Sequence, residues 1–169
     1  IFLDQKRFAN LKINGIHVHI GSQITTIAPY VKAIKKTTAF IRSLKTNGIK
    51  IEYLNIGGGM AADYTLGIAQ SADAFANALV PMLQKTGLKI IMEPGRFIVA
   101  NAGILVTKTL YLKDNGVKKF LIVDAGMNDL VRPSLYDAYH EILPVKKNTS
   151  KTVTVDVVGP LCESGDFLG

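Results

Sequence analysis

Three apolar runs end in polar groups at nearly equal intervals, and nothing else in this chain limits its fold so closely. The runs are GIHVHIGSQ, with His19 near its end; YLNIGGG, with Gly57, Gly58 and Gly59; and KIIMEPGR, with Glu93. His19, Gly57 and Glu93 stand 38 and 36 residues apart. A strand–helix–strand unit takes roughly 30 residues or more, so the intervals match one such unit each. Successive parallel strands of a barrel would bring an imidazole, a glycine turn and a carboxylate to one rim.

Local signals fill in the elements between. Leu11 to Ile20 reads as a strand broken at Asn14-Gly15. Pro29 can open a helix, because its missing N–H is not needed there. Val31, Ile34, Thr38, Ile41 and Leu44 follow at helical spacing, and Asn47-Gly48 ends the run. Ile49 to Ile56 is the next strand. Ser71 suits the cap of a helix bearing Phe75, Leu79 and Leu83, which Pro81 should kink or end early. Leu88 to Met92 reads as a short buried strand. The order β-α-β-α-β predicts parallel strands with right-handed crossovers.

The pattern changes near Ala102. Ile104 to Leu112 and Val117 to Val123 are β-prone runs joined by Asp114-Asn115-Gly116, a strong hairpin signal. Val153, Val155 and Val157 alternate with Thr152, Thr154 and Asp156, as in a half-exposed strand. Parallel α/β thus gives way to antiparallel β, with a boundary expected at 98–105. The sequence predicts two domains, 1–101 and 102–169.

Bulk properties narrow the class. The 169 residues are 48% hydrophobic and only 8% aromatic, as in a soluble α/β protein. No apolar stretch approaches the roughly 18 residues that cross a membrane. The opening IFLDQKRFANLK has no basic segment leading into an apolar core, so it does not read as a signal peptide. With no initiating Met, and an end just after a polar motif, the chain reads as an interior piece of a longer protein. Its single Cys162 excludes an intrachain disulfide and suits a reducing, cytoplasmic compartment. The formal charge of +7 comes from scattered lysines without aromatic interleaving. Solvated helix faces explain it, and neither a nucleic-acid nor a membrane partner is expected.

Five motifs carry chemistry. A glycine triplet after a strand lets backbone N–H groups close on a phosphate, although flexible turns also use one. His17 and His19 alternate along a strand, so both could bind one metal; alternatively only His19 reaches the rim and lies against a cofactor ring. No Cys/His cluster accompanies them, and His140 is the only other histidine. Glu93, in Glu-Pro-Gly-Arg, is either half of a structural ion pair or a carboxylate facing a pyridine nitrogen. In the second role it would keep that nitrogen protonated and improve an electron sink. These three together suit a flat, phosphorylated, nitrogen-containing cofactor, with pyridoxal 5′-phosphate the obvious candidate. Arg132, with Tyr136 four residues on, can grip a carboxylate or simply lie at the surface. Cys162-Glu163-Ser164-Gly165-Asp166 is too acidic for a core strand. A thiol beside these two carboxylates is expected to serve as a proton donor sooner than a nucleophile.

In order and spacing, HIGSQ, GGG, EPGR, RPSLYDAYH and CESGD resemble the alanine-racemase-type (fold type III) pyridoxal-phosphate decarboxylases along the whole chain. The resemblance implies the last three β/α units of a TIM-like (β/α)8 barrel, then the start of an antiparallel β domain. It implies His19 stacked on the cofactor ring and Glu93 on the pyridine nitrogen. Ser22, Gly57, Gly58, Gly59, Gly95 and Arg96 would hold the phosphate. Arg96, Arg132 and Tyr136 would bind the far carboxylate of an amino-acid substrate. Cys162 and Glu163 would enter the partner's site in a homodimer with shared active sites, Cys162 as proton donor and Glu163 on the distal amine. The reaction implied is decarboxylation of meso-2,6-diaminopimelate to L-lysine, with no metal. Ornithine, arginine and carboxynorspermidine are the sibling substrates, and Arg132 argues against ornithine, whose far end is a cation. A non-catalytic cofactor-binding protein and a metal-dependent barrel hydrolase using His17 and His19 are the readings from other classes. The family's cofactor-anchoring lysine has no counterpart here: Lys89 begins a strand and Lys108 lies in the hairpin region.

Overall fold

A computed structural model describes residues 1–64, 67, 69–146, 149 and 152–169. It is a mixed α/β structure in two compact units, 1–103 and 104–169, each with a three-stranded sheet.

In the first unit, strands β1 (Gly15–His17), β2 (Tyr53–Asn55) and β3 (Lys89–Ile91) are parallel and lie in that order. His17 pairs with Asn55, and Asn55 with Ile91, so the three strand ends lie in line. Helix α1 (Ala28–Thr46) connects β1 to β2, and α2 (Ala72–Gln84) connects β2 to β3. Pro29 sits in the first turn of α1, and the Asn47 N–H closes its end. Ser71 caps α2 by accepting the Ala74 N–H. Tyr30, Ile34, Leu54, Ile56, Met60, Phe75, Leu79 and Leu83 form the core. Tyr30 meets Phe75, and Phe75 meets Phe97, edge to face.

Three expectations change. The first strand is shorter than Leu11–Ile20, because the Leu11 N–H turns back to the Phe8 carbonyl instead of joining the ladder. The run Leu88–Met92 is not buried: β3 is an edge strand, and Ile91 and Met92 are exposed. Pro81 does not end α2, which continues to Gln84 and buries Leu79 and Leu83 on either side of it.

The second unit pairs β4 (Thr109–Asp114) antiparallel with β5 (Lys119–Val123). Asn115 and Lys118 close the hairpin, with Gly116 at φ +84° as the first central residue. A glycine there relieves the left-handed strain. The third strand, β6 (Asp156–Val158), lies parallel to β5, so the sheet is mixed and not the antiparallel one expected. The stretch from Val123 to Asp156 is long enough for a crossover, which a parallel pair requires. It contains the short helix α4 (Arg132–Tyr136). Val123, Ala125, Val157 and Leu168 form a small core.

Candidate active site

The polar groups of the first unit meet at the C-terminal ends of β1, β2 and β3. Asn55 is the hub. Its Nδ2 donates to Glu93 Oε1 at 2.6 Å, and its Oδ1 accepts the Gly57 N–H at 2.8 Å. His17 Nε2 lies 3.6 Å from the same Glu93 oxygen. Glu93 Oε2 makes no hydrogen bond among the described residues, and the carboxylate is solvent-accessible. His19 Nδ1 accepts the Gly58 N–H at 3.3 Å, which orients the ring. One ligand atom from each of His17, His19 and Glu93 lies within 4.8 Å of the others.

The glycine triplet is needed for packing as well as for any ligand. A Cβ at Gly57 would overlap the Val18 carbonyl, one at Gly58 the Glu93 carbonyl, and one at Gly59 the Gly21 carbonyl. The three strand-end loops therefore touch backbone to backbone. Gly57 and Gly59 also take positive φ values, +69° and +93°. Tyr30 donates its hydroxyl to the Gly58 carbonyl at 2.9 Å from inside the core. Burial pushes its phenol above its usual range, so it remains a donor. Gln23 brackets the far end of the turn through the Ala62 carbonyl and N–H.

Arg96 donates to Ser22 Oγ at 2.5 Å and to the Tyr64 hydroxyl at 3.2 Å, bringing the first and third strand-end loops together. Gly95, at φ +52°, precedes the short helix α3 (Arg96–Val99). Local sequence had no signal for Asn55, Tyr30 or Gln23, since each acts on a residue 28 to 39 positions away.

This set fits a flat phosphorylated ring. Glu93 Oε2 can accept an N–H from a ring nitrogen, His19 offers an imidazole face, and Ser22 and Arg96 supply donors for an anion. Gly57 and Gly58 already donate their N–H groups within the protein.

In the second unit, the Arg132 guanidinium lies 5.7 Å over the Tyr136 ring. Its Nε is buried without a hydrogen-bond partner among the described residues. Ser134, on the same helix, donates to the Gly165 carbonyl. Cys162 and Glu163 are exposed, and Glu163 Oε1 accepts the Ser164 hydroxyl and the Gly165 N–H. The acidic motif is not uniformly outside the core, because Asp166 is 3% exposed. Its carboxylate accepts the N–H groups of Met127 and Leu161, which satisfy it in place of water.

No helix among the described residues is long and apolar enough to cross a membrane. Residues 44–169 match the family model of the pyridoxal-dependent decarboxylase C-terminal sheet domain. The chain is 51% identical over 163 residues to a diaminopimelate decarboxylase of Aquifex aeolicus, covering 96% of this chain and 39% of the relative. It is 46% identical over 161 residues to the enzyme of that name from Vibrio cholerae, with 95% and 39% covered. The structure of diaminopimelate decarboxylase from Helicobacter pylori complexed with L-lysine superposes with a TM-score of 0.87 at 42% identity, over 98% of this chain and 41% of that one. The chain thus spans about two fifths of the length of the relatives it matches. A family match covering most of the chain, over a strand-end cluster of imidazole, carboxylate and glycine turn, makes this chain a member of the pyridoxal-dependent decarboxylases.

Proposed function

We propose that this chain forms part of a diaminopimelate decarboxylase, which releases CO2 from meso-2,6-diaminopimelate to form L-lysine. The observation that carries this reading is the Glu93 carboxylate, held on one oxygen by Asn55 and open on the other. Pyridoxal phosphate, when bound, supplies a ring that takes up the electron pair left by departing CO2. Glu93 Oε2 accepts the ring N–H and keeps that nitrogen protonated. Asn55 holds the other oxygen, Oε1, with His17 Nε2 3.6 Å from it, which leaves Oε2 for the ring. His19, oriented by the Gly58 N–H, covers one ring face. Ser22, Gly59, Gly95 and Arg96 hold the phosphate, while Gly57 and Gly58 shape the turn that brings these groups together.

Arg132, whose Nε has no hydrogen-bond partner among the described residues, and Tyr136 take the distal carboxylate, with Arg96 as the third contact. Arg132 favours this substrate over ornithine, because an arginine repels a cationic far end. Cys162 delivers the proton to the substrate carbon, and Glu163 takes the distal amine. Both are exposed here, in keeping with a role in the site of a second copy. Residues 1–101 belong to the end of a TIM-like barrel that binds the cofactor, and 102–169 to the beginning of a β-rich domain for substrate binding and dimerisation. The cytoplasm is the compartment that suits the free thiol.

In the full-length protein, Glu93→Gln keeps a hydrogen-bonding group but cannot hold a protonated ring nitrogen. Turnover should fall about a hundredfold while cofactor affinity changes far less. Equal losses of turnover and cofactor would reduce Glu93 to a binding contact. The proximity of His17, His19 and Glu93 favours a second reading, a bound divalent metal. Stoichiometric metal in the purified full-length protein, lost in His17→Ala together with activity, would replace the first reading with this one.

A further inference from the structure

We propose that Asp166 and Ser134 are positioning residues that lock the turn bearing Cys162 and Glu163 to the helix bearing Arg132 and Tyr136. The proposal rests on the reading above, in which these four side chains serve catalysis. Asp166 is the one buried charged side chain among the described residues, and it makes no ion pair there. A buried carboxylate is costly unless hydrogen bonds replace its water. Here Oδ1 accepts the Met127 N–H at 2.6 Å and Oδ2 accepts the Leu161 N–H at 2.8 Å. The backbone joins in: the Asp166 N–H donates to the Glu163 carbonyl, and its own carbonyl accepts the Gly159 N–H. One residue thus ties together the segments at 126–127, 159–161 and 163–166.

Two glycines let those segments close on the carboxylate. A Cβ at Gly126 would lie 2.9 Å from Oδ1, and one at Gly159 would overlap Oδ2. The other tie comes from α4. Ser134 Oγ is within hydrogen-bond reach of the Gly165 and Phe167 carbonyls, which flank Asp166. The turn is therefore pinned at Leu161 on one side and at Gly165 to Phe167 on the other, with Cys162 and Glu163 projecting between. Bonds to an ionised acceptor are roughly twice as strong as neutral ones. The carboxylate is suited to holding a turn whose residues Leu161, Cys162, Glu163 and Ser164 are all exposed.

The test uses the full-length, cofactor-loaded protein with Asp166→Asn, Asp166→Ala, Ser134→Ala and Cys162→Ala. Turnover and KM are measured on meso-2,6-diaminopimelate. Alkylation of Cys162 by iodoacetamide is followed on its own peptide by mass spectrometry. A loosened turn should speed alkylation about threefold or more, and lower kcat about tenfold with a smaller change in KM. Asp166→Asn, which keeps one acceptor, should retain more activity than Asp166→Ala. Wild-type alkylation and wild-type kcat in Asp166→Asn and Ser134→Ala, with only a lowered melting temperature, would overturn the proposal. If Asp166→Ala does not fold, Ser134→Ala decides, since it leaves the buried carboxylate in place. Unchanged kcat in Cys162→Ala would sink the proton-donor reading instead. The alkylation rate then judges the positioning role alone, faster upholding it and unchanged overturning it.

Discussion

The two units use glycine contacts and polar bonds in different proportion to hold their candidate side chains. In residues 1–103, eight buried residues from α1, α2, β2 and the adjoining loops form a core, and the strand ends are drawn together until backbone meets backbone. The decisive atoms are absent ones, the missing Cβ atoms of Gly57, Gly58 and Gly59. In residues 104–169 the core cluster among the described residues has four buried members, and β4 is exposed at all six positions. There the turns are held by carboxylates that accept backbone N–H groups: Asp114 from Gly116, Asp124 from Lys108, and Asp166 from Met127 and Leu161. A larger core fixes register by excluding water, so close approach is what a substitution can spoil. A smaller one depends more on directional polar bonds, and charge is what a substitution can spoil.

The sharpest way to break this contrast is a pair of glycine substitutions. Gly58→Ala forces a methyl into the Glu93 carbonyl and should cost about 3 kcal/mol or more, read by denaturant unfolding of the full-length protein. Gly116→Ala meets nothing within 4 Å and carries only the strain of a positive φ. It should cost about 1 kcal/mol. Equal costs would mean that backbone crowding is not what sets the first unit apart.

Arg132→Ala comes next, and tests whether the polar devices of the second unit serve binding. Loss of a charge-assisted bond to the distal carboxylate should raise KM by on the order of 30- to 100-fold, or about 2–3 kcal/mol. An unchanged kcat/KM would remove Arg132 from the site.

The smallest effect is electrostatic. The Thr107 hydroxyl and the Lys108 N–H hold the Asp124 carboxyl below its ordinary value of 3.8. A depressed folded-state value means that its contribution to stability is complete above the ordinary value. The contribution is lost as pH falls through the lowered one. Thermal melts between about pH 6 and pH 3 should therefore show a decline confined to the acid end, partly flattened by Asp124→Asn. A decline of the same size in that variant would show that Asp124 carries none of it.

Sequence reading reached the features that are governed by near neighbours. Pro29 and Asn47 bound α1, Ser71 caps α2, and Gly116 turns the hairpin, because each acts within four residues of itself. It also placed His19, the glycine turn and Glu93 at consecutive strand ends, since their intervals leave room for the helix that a parallel pair needs. It did not reach Asn55, which looks like an ordinary polar residue before a glycine turn until Glu93, 38 positions later, lies beside it. Nor did it reach Asp166, whose acidic neighbours suggested solvent.

By itself, then, the sequence determined the alternation of strand and helix, the caps and turns, and which side chains stand at strand ends. Those depend on local hydrogen bonds and hydrophobic periodicity, which are written in adjacent residues. The tertiary structure alone decided the direction of β6, the exposure of β3, the hub at Asn55 and the buried carboxylate of Asp166. Each of these depends on which distant backbone groups lose their water and must find a new partner, and the chain meets those partners only when it folds.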